Sequence, residues 1–263
     1  MSDQRLRELE RVWRAKGDSA SGLALARARL RLGEGLSSLT PELGSLVLKA
    51  RRSEGNLSLG SLRLAARFAL PAARLALSEA ERLKLSPSFR WSDALVGLRP
   101  PLCVRVAWVA GEALASQAGA DAQHLVRATL SAAAACLDDP TPANAAAARA
   151  SVQALRELEH ASAETLQARR EGSGRVLRPG DTGLRDDAAA FRAAEAAAES
   201  ARSLAPPARG LLARLERAIG FRLEEPLAPL RGAELALEAT REGLGERRGP
   251  AALREAFVAW VLR

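Results

Sequence analysis

Two carboxylate–histidine pairs are the first residues in this sequence whose spacing suggests chemistry. Asp121 precedes His124 by three residues, and Glu157 precedes His160 by three. On a helix that spacing sets both groups on one face, as the inward-facing Glu-x-x-His pairs of di-iron helical bundles do. Such a centre also needs carboxylates from other helices, and Glu112 and Glu195 are conceivable donors. The surroundings argue against it. His160 shares its helix face with Gln153, Arg156, Glu157 and Glu164. The apolar face carries Val152, Leu155, Leu158 and Leu166, with the small Ser162 among them. His160 is therefore expected to point to water. Asp121, His124, Glu157 and His160 read as ordinary surface or boundary residues, and a metal-binding helical enzyme is the weakest functional reading.

Nucleophilic chemistry finds little support. The sequence has no GxSxG elbow, and neither Cys103 nor Cys136 stands near a histidine along the chain. Each cysteine lies in an apolar helical run, which points to buried free thiols in a reducing cytoplasm. The stretches Gly172-Ser-Gly174-Arg175 and Arg178-Pro-Gly-Asp-Thr182-Gly are rich in glycine. They lack the GKS/T ending and the preceding strand of a phosphate loop. No cofactor is implied.

Charge is the remaining handle. Residues 1–100 hold 18 Lys/Arg against 10 Asp/Glu, a net +8, and the rest of the chain holds 21 of each. Arg27, Arg31, Lys49, Arg51, Arg52, Arg63 and Arg67 are the candidate interaction residues, which neighbouring helices can gather on one surface. Arginines contacting phosphates would give affinity without sequence readout. The same residues also fit a solvated face, with positive charge written as Arg throughout a GC-rich coding sequence. Stacking platforms for bases need exposed aromatics, and the chain has no Tyr, five Phe and four Trp.

The elements that must position these groups are helices. Ala, Leu, Arg and Glu dominate, all strong helix formers, and no stretch alternates β-branched and aromatic residues. An all-α fold is expected, a multi-helix bundle or stacked helical hairpins of about ten to twelve helices. Residues 102–170 read as three long helices broken at 118–121 and 138–142. Val104, Val106, Ala107, Ala110 and Leu114, then Leu125, Ala128, Ala132 and Cys136, recur there at helical spacing. These helices are expected to form the centre against which both flanks pack.

Upstream, punctuation marks five shorter helices. Gly17 closes the first, which Ser2 caps. Asp18, Ser19 or Ser21 caps the second, which stops at Gly33. Thr40-Pro41-Glu42 starts the third, Gly55-Asn56 precedes the fourth, and Pro71 opens a fifth over PAARLALSEAERL. Residues 88–98 are expected to be helical too. The organisation expected is a basic layer over 1–98, central helices over 99–170, a surface loop over 171–187 and a C-terminal helical segment over 188–263. In that segment helices are expected over AAAFRAAEAAAESARSL, over GLLARLERAIGFRL, over 227–244 and from Pro250. The last buries Leu253, Phe257, Trp260 and Val261. The four Trp are expected to act as isolated anchors. No apolar run reaches the length of a membrane span, and no leader-like apolar stretch opens the chain.

Three stretches carry a resemblance. LRELERVWRAKGD followed by LALARARLRLGEGL resembles a signature running roughly LERRWRETGD and then a helix ending RLRAGEL. LGSLRLAARFALPAARLAL resembles RLRLAAYLGHPAARLAL, and LREAFVAWVLR resembles LREALVPWALG, with Ala259 in place of Pro. These motifs resemble an uncharacterised Ala/Leu/Arg-rich all-helical family of GC-rich bacteria. The chain departs from the pattern at Ala69-Leu70, where Gly-His is usual, and in lacking the acidic cluster and Tyr of the second helix. The resemblance implies an all-α architecture and brings no reaction or catalytic residue. Some related Ala-rich helical proteins look like immunity or accessory proteins. The leading expectation is a cytoplasmic, non-enzymatic protein that binds another protein, an acidic one by its charge. The alternative is a nucleic-acid-associated protein using the basic third.

Overall fold

Helix boundaries in the computed structural model follow short-range hydrogen-bond chemistry. It describes residues 3–86, 88–173, 184–205 and 228–262. Thirteen α-helices and no strand occur among the described residues, and none of those helices is long and apolar enough to cross a membrane. The chain forms two units, residues 1–94 with 254–263, and residues 95–253. The closing residues thus group with the N-terminal ones.

In the first unit, α1 (Asp3–Lys16) ends where Gly17 takes φ +63°. The Asp18 carboxylate then accepts from the Ser21 amide at 2.7 Å and caps α2 (Ser19–Arg31). That satisfies one of the donors a helix start leaves unpaired. The cap expected from Ser2 lies outside the described residues. Thr40 caps α3 (Pro41–Ser53), and Ser58 caps α4 (Leu59–Arg67). The helix expected over residues 71–83 is instead two, α5 (Pro71–Ala76) and α6 (Glu79–Arg82). Leu77 is extended, and Ser78 and Glu81 form a reciprocal capping box that starts the new helix.

Two apolar clusters hold this unit. One contains Leu25, Ala26, Leu39, Leu43 and Val47, with Leu6, Leu9 and Trp13 packed on it. The other is aromatic. Phe68 meets Phe89, Trp91 and Phe257 at centroid distances of 5.7, 5.5 and 4.7 Å, and Phe257 stacks with Trp260 at 6.0 Å. Trp91, which opens the short helix α7 (Trp91–Val96), and Trp260 are thus members of a cluster rather than isolated anchors. Along α13 (Arg248–Val261), Leu253 and Phe257 are fully buried, while Trp260 and Val261 are only half-buried.

The second unit contains α8 (Pro100–Ala115), α9 (Ala120–Asp138), α10 (Pro142–Ser173), α11 (Leu184–Arg202) and α12 (Ala228–Leu244). The centre lies elsewhere than expected: α11, which follows the three long helices, packs against α8, α9, α10 and α12. Its alanines explain this. Ala189, Ala190, Ala193, Ala194, Ala197 and Ala201 are buried, and with Phe191, Ala196, Ala198 and Ser200 they make the buried face wider than half of the circumference, leaving a polar strip of Arg192, Glu195, Glu199 and Arg202. Small side chains on so wide a face let several helices approach closely. The buried face of α9 is Ala122, Val126, Thr129, Leu130, Ala133 and Cys136, while Ala128 faces water. Trp108 on α8 is half-buried, and its indole N–H donates to the Leu130 carbonyl at 3.0 Å.

The stretch expected as a loop over 171–187 is helical at both ends, to Ser173 and from Leu184. In the first turn of α11, the Asp187 carboxylate accepts from the Gly119 amide at 2.7 Å. An acidic residue there also suits the positive end of the helix dipole. Residues 174–183 of that stretch, and the helix expected over GLLARLERAIGFRL, lie outside the described residues.

Candidate functional site

Among the described side chains, the four residues weighed as a metal site are not brought together. His124, Glu157 and His160 are exposed, and Glu157 accepts a 3.0 Å bond from the Gln153 amide on its own helix. The side chain of Asp121 lies outside the described residues. Glu195 pairs with Arg156, and Glu112 faces water. No cluster of three or more metal-ligating side chains occurs among the described residues.

Both cysteines are buried free thiols. Burial pushes Cys103 up to about 11 and raises Cys136 as well, since a thiolate is poorly solvated there. The Cys136 thiol donates to the Ala201 carbonyl at 3.4 Å. Neither is poised as a nucleophile.

The basic candidates are drawn into separate intramolecular contacts. Arg27 pairs with Glu54. Arg51 donates to the Leu262 carbonyl at 2.5 Å, and Arg67 to the Asp93 carbonyl at 2.5 Å. Arg63 pairs with Glu81 at 2.9 Å. The Ser78 hydroxyl and amide, with help from Arg63, hold the Glu81 carboxyl below its usual range. Arg31, Lys49 and Arg52 face water. The charge expected to form one free surface therefore works partly inside the first unit.

What the first unit does present is an apolar cleft of about 580 Å³. Leu30 comes from α2, and Leu36 from the stretch after it. Val47 and Arg51 come from α3, residues 68–71 from the turn between α4 and α5, and Val258 and Leu262 from the end of the chain. Its volume is that of a site for a drug-sized ligand or a few side chains, roughly 300–1,000 Å³. Polar groups are few. Arg51 is oriented by its bond to the Leu262 carbonyl. Arg254 lies over the Phe89 ring at 5.4 Å, a favourable cation–π distance. Glu255 and Ala259 line the cleft from exposed positions.

Ala69 stands in the wall of this cleft at φ +59°, the one non-glycine residue with positive φ among those described. A Cβ crowds the backbone in that conformation, so the turn that shapes the cleft is held against local strain.

No short motif announces this cleft, because its walls come from residues 30–71 and 254–262. One signal is nevertheless present in the sequence. LREAFVAWVLR carries a second apolar stripe, Val258 and Leu262, beside Leu253 and Phe257. A helix with two adjacent stripes has more apolar surface than one neighbour covers.

No protein-family model, curated protein or solved structure matches the chain.

Proposed function

We propose that the chain is a non-enzymatic helical protein that acts by binding another protein, as an adaptor, regulatory or immunity-type partner. The observation that carries this reading is the apolar cleft of about 580 Å³ in the first unit. It is lined by Leu, Val and Phe, and it lies in the unit that carries the chain's whole net positive charge. Two arginines and one glutamate border the apolar lining. Such a cleft suits one or two apolar side chains of a partner segment. The surrounding charge favours an acidic segment, chiefly through its rate of association.

A photo-crosslinking residue at position 259 of the full chain tests this, with one at the exposed position 147 on α10 as control. In native lysate, position 259 is expected to give a discrete protein adduct that position 147 does not. The identified protein, once purified, is expected to bind saturably, with at least a tenfold loss for Ala259→Trp. Equal adducts from both positions, or none from either, would overturn the reading. Capture abolished by nuclease would favour the nucleic-acid reading in its place.

A further inference from the structure

A second cavity in the first unit, of about 370 Å³, has the opposite character. Arg67, Arg74, Lys84 and Arg90 line it, against one carboxylate, Asp93. Arg67 and Arg74 are half-buried, and main-chain carbonyls orient their guanidinium groups. Arg67 donates to the Asp93 carbonyl at 2.5 Å. Arg74 donates through Nε to the Ala66 carbonyl at 3.2 Å and through Nη2 to the Ser86 carbonyl at 3.0 Å. A carbonyl acceptor fixes the direction of a guanidinium without removing its positive charge, so these bonds preorganise the group at little further entropy cost. Lys84 and Arg90 are exposed and long enough to close on a ligand from the solvent side. Phe89 gives the cavity one apolar wall, held by Phe68 and Trp91.

We propose that this cavity binds a small anion bearing a diphosphate group. Two positioned arginines and two exposed cations match the several acceptor oxygens and multiple charges of that group better than those of a single carboxylate. The volume admits a diphosphate with a modest organic substituent against Phe89. The site is separate from the apolar cleft, and neither proposal depends on the other.

Calorimetric titration of the full chain with inorganic pyrophosphate at about 0.15 M salt, where surface charges are largely screened, tests the proposal. Saturable one-to-one binding is expected. The exposed pair Lys84→Ala/Arg90→Ala is expected to weaken it at least tenfold while keeping the native circular dichroism. Arg14→Ala, at an exposed cation on α1, and Ala259→Trp in the apolar cleft are expected to leave it unchanged. An excess of sulfate is expected to compete poorly. Absence of saturable binding, equal loss in Arg14→Ala, or full displacement by equimolar sulfate would overturn the proposal. So would binding of a short RNA or of a phosphopeptide through Lys84 and Arg90 without binding of pyrophosphate.

Discussion

The two units solve the packing problem with opposite side chains. The first adds large rings to its aliphatic cluster: Phe68, Phe89, Trp91, Phe257 and Trp260 form one connected group among short helices. The second is held by small residues. Buried alanines cover more than half of the α11 circumference, and glycines lie where α8 meets α9 and where α13 starts against α12. A Cβ added at Gly249 would run into the Thr240 carbonyl oxygen, and one at Gly111 would meet the Leu130 side chain at 2.5 Å. Ring clusters are expected to suffer when volume is removed, and close helix crossings when volume is added.

That contrast can be broken by mutation. The largest effect is expected from Phe257→Ala, about 3–5 kcal/mol for a fully buried ring. Trp260→Ala, at a half-buried ring, is expected to cost less. Urea unfolding followed by circular dichroism measures both, and a larger loss at Trp260 would relocate the anchor of α13. Next comes Gly249→Ala, expected to cost about 1–3 kcal/mol because the neighbouring atom is backbone and cannot swing away. A neutral result there would show that the start of α13 parts easily from α12, and the contrast would fail.

Two smaller effects sharpen it within the first unit. Ala69→Gly is expected to stabilise by about 0.5–1 kcal/mol, since relief of the left-handed strain outweighs glycine's added chain entropy. Loss of stability would show that the Ala69 methyl packs better than its backbone suffers. The smallest effect concerns Asp18, whose carboxyl the Ser21 amide and hydroxyl hold below its ordinary value. Its folded value is depressed, so its contribution is present above the ordinary aspartate range and is lost as pH falls through the folded value. The stability gap between the native chain and Asp18→Ala is therefore expected to narrow on acidification, as thermal melts at several pH values would register.

How far the sequence is readable depends on the range of the interaction. Thr40-Pro41-Glu42 and Gly17 act within four residues, and their structural roles are visible in the residues alone. The cap of α2 is visible too, though the residues leave it among Asp18, Ser19 and Ser21 and the structure selects Asp18. Ser78-x-x-Glu81 is equally local, yet it lies hidden inside a run of good helix formers. The displaced centre has another cause. Periodicity finds a helix with one apolar face, but α11 is apolar on most of its circumference, and alanine marks burial and exposure alike. Ala128 shows the ambiguity from the other side, at an apolar spacing yet in water. Of the two cavities, only the apolar cleft leaves a trace in the sequence, the second apolar stripe of LREAFVAWVLR. Both need residues brought together by tertiary contacts. Arginines that charge alone would group are sorted instead by which carbonyl or carboxylate each can reach.

The bond from Arg51 to the Leu262 carbonyl spans 211 residues, and the Phe68–Phe257 contact spans nearly as many. At roughly 5–20 residues per second, translation reaches Phe257 on the order of 10–40 s after Phe68. Throughout that interval Phe68 has no access to its ring partner on α13, while residues 95–253 are contiguous and can form their contacts as they emerge. On the ribosome, the aliphatic cluster around Leu25, Leu43 and Val47 can therefore form early, whereas Phe68 waits uncovered by α13 until the second unit has also been made, and its surroundings are the part of the molecule that a chaperone would have reason to hold.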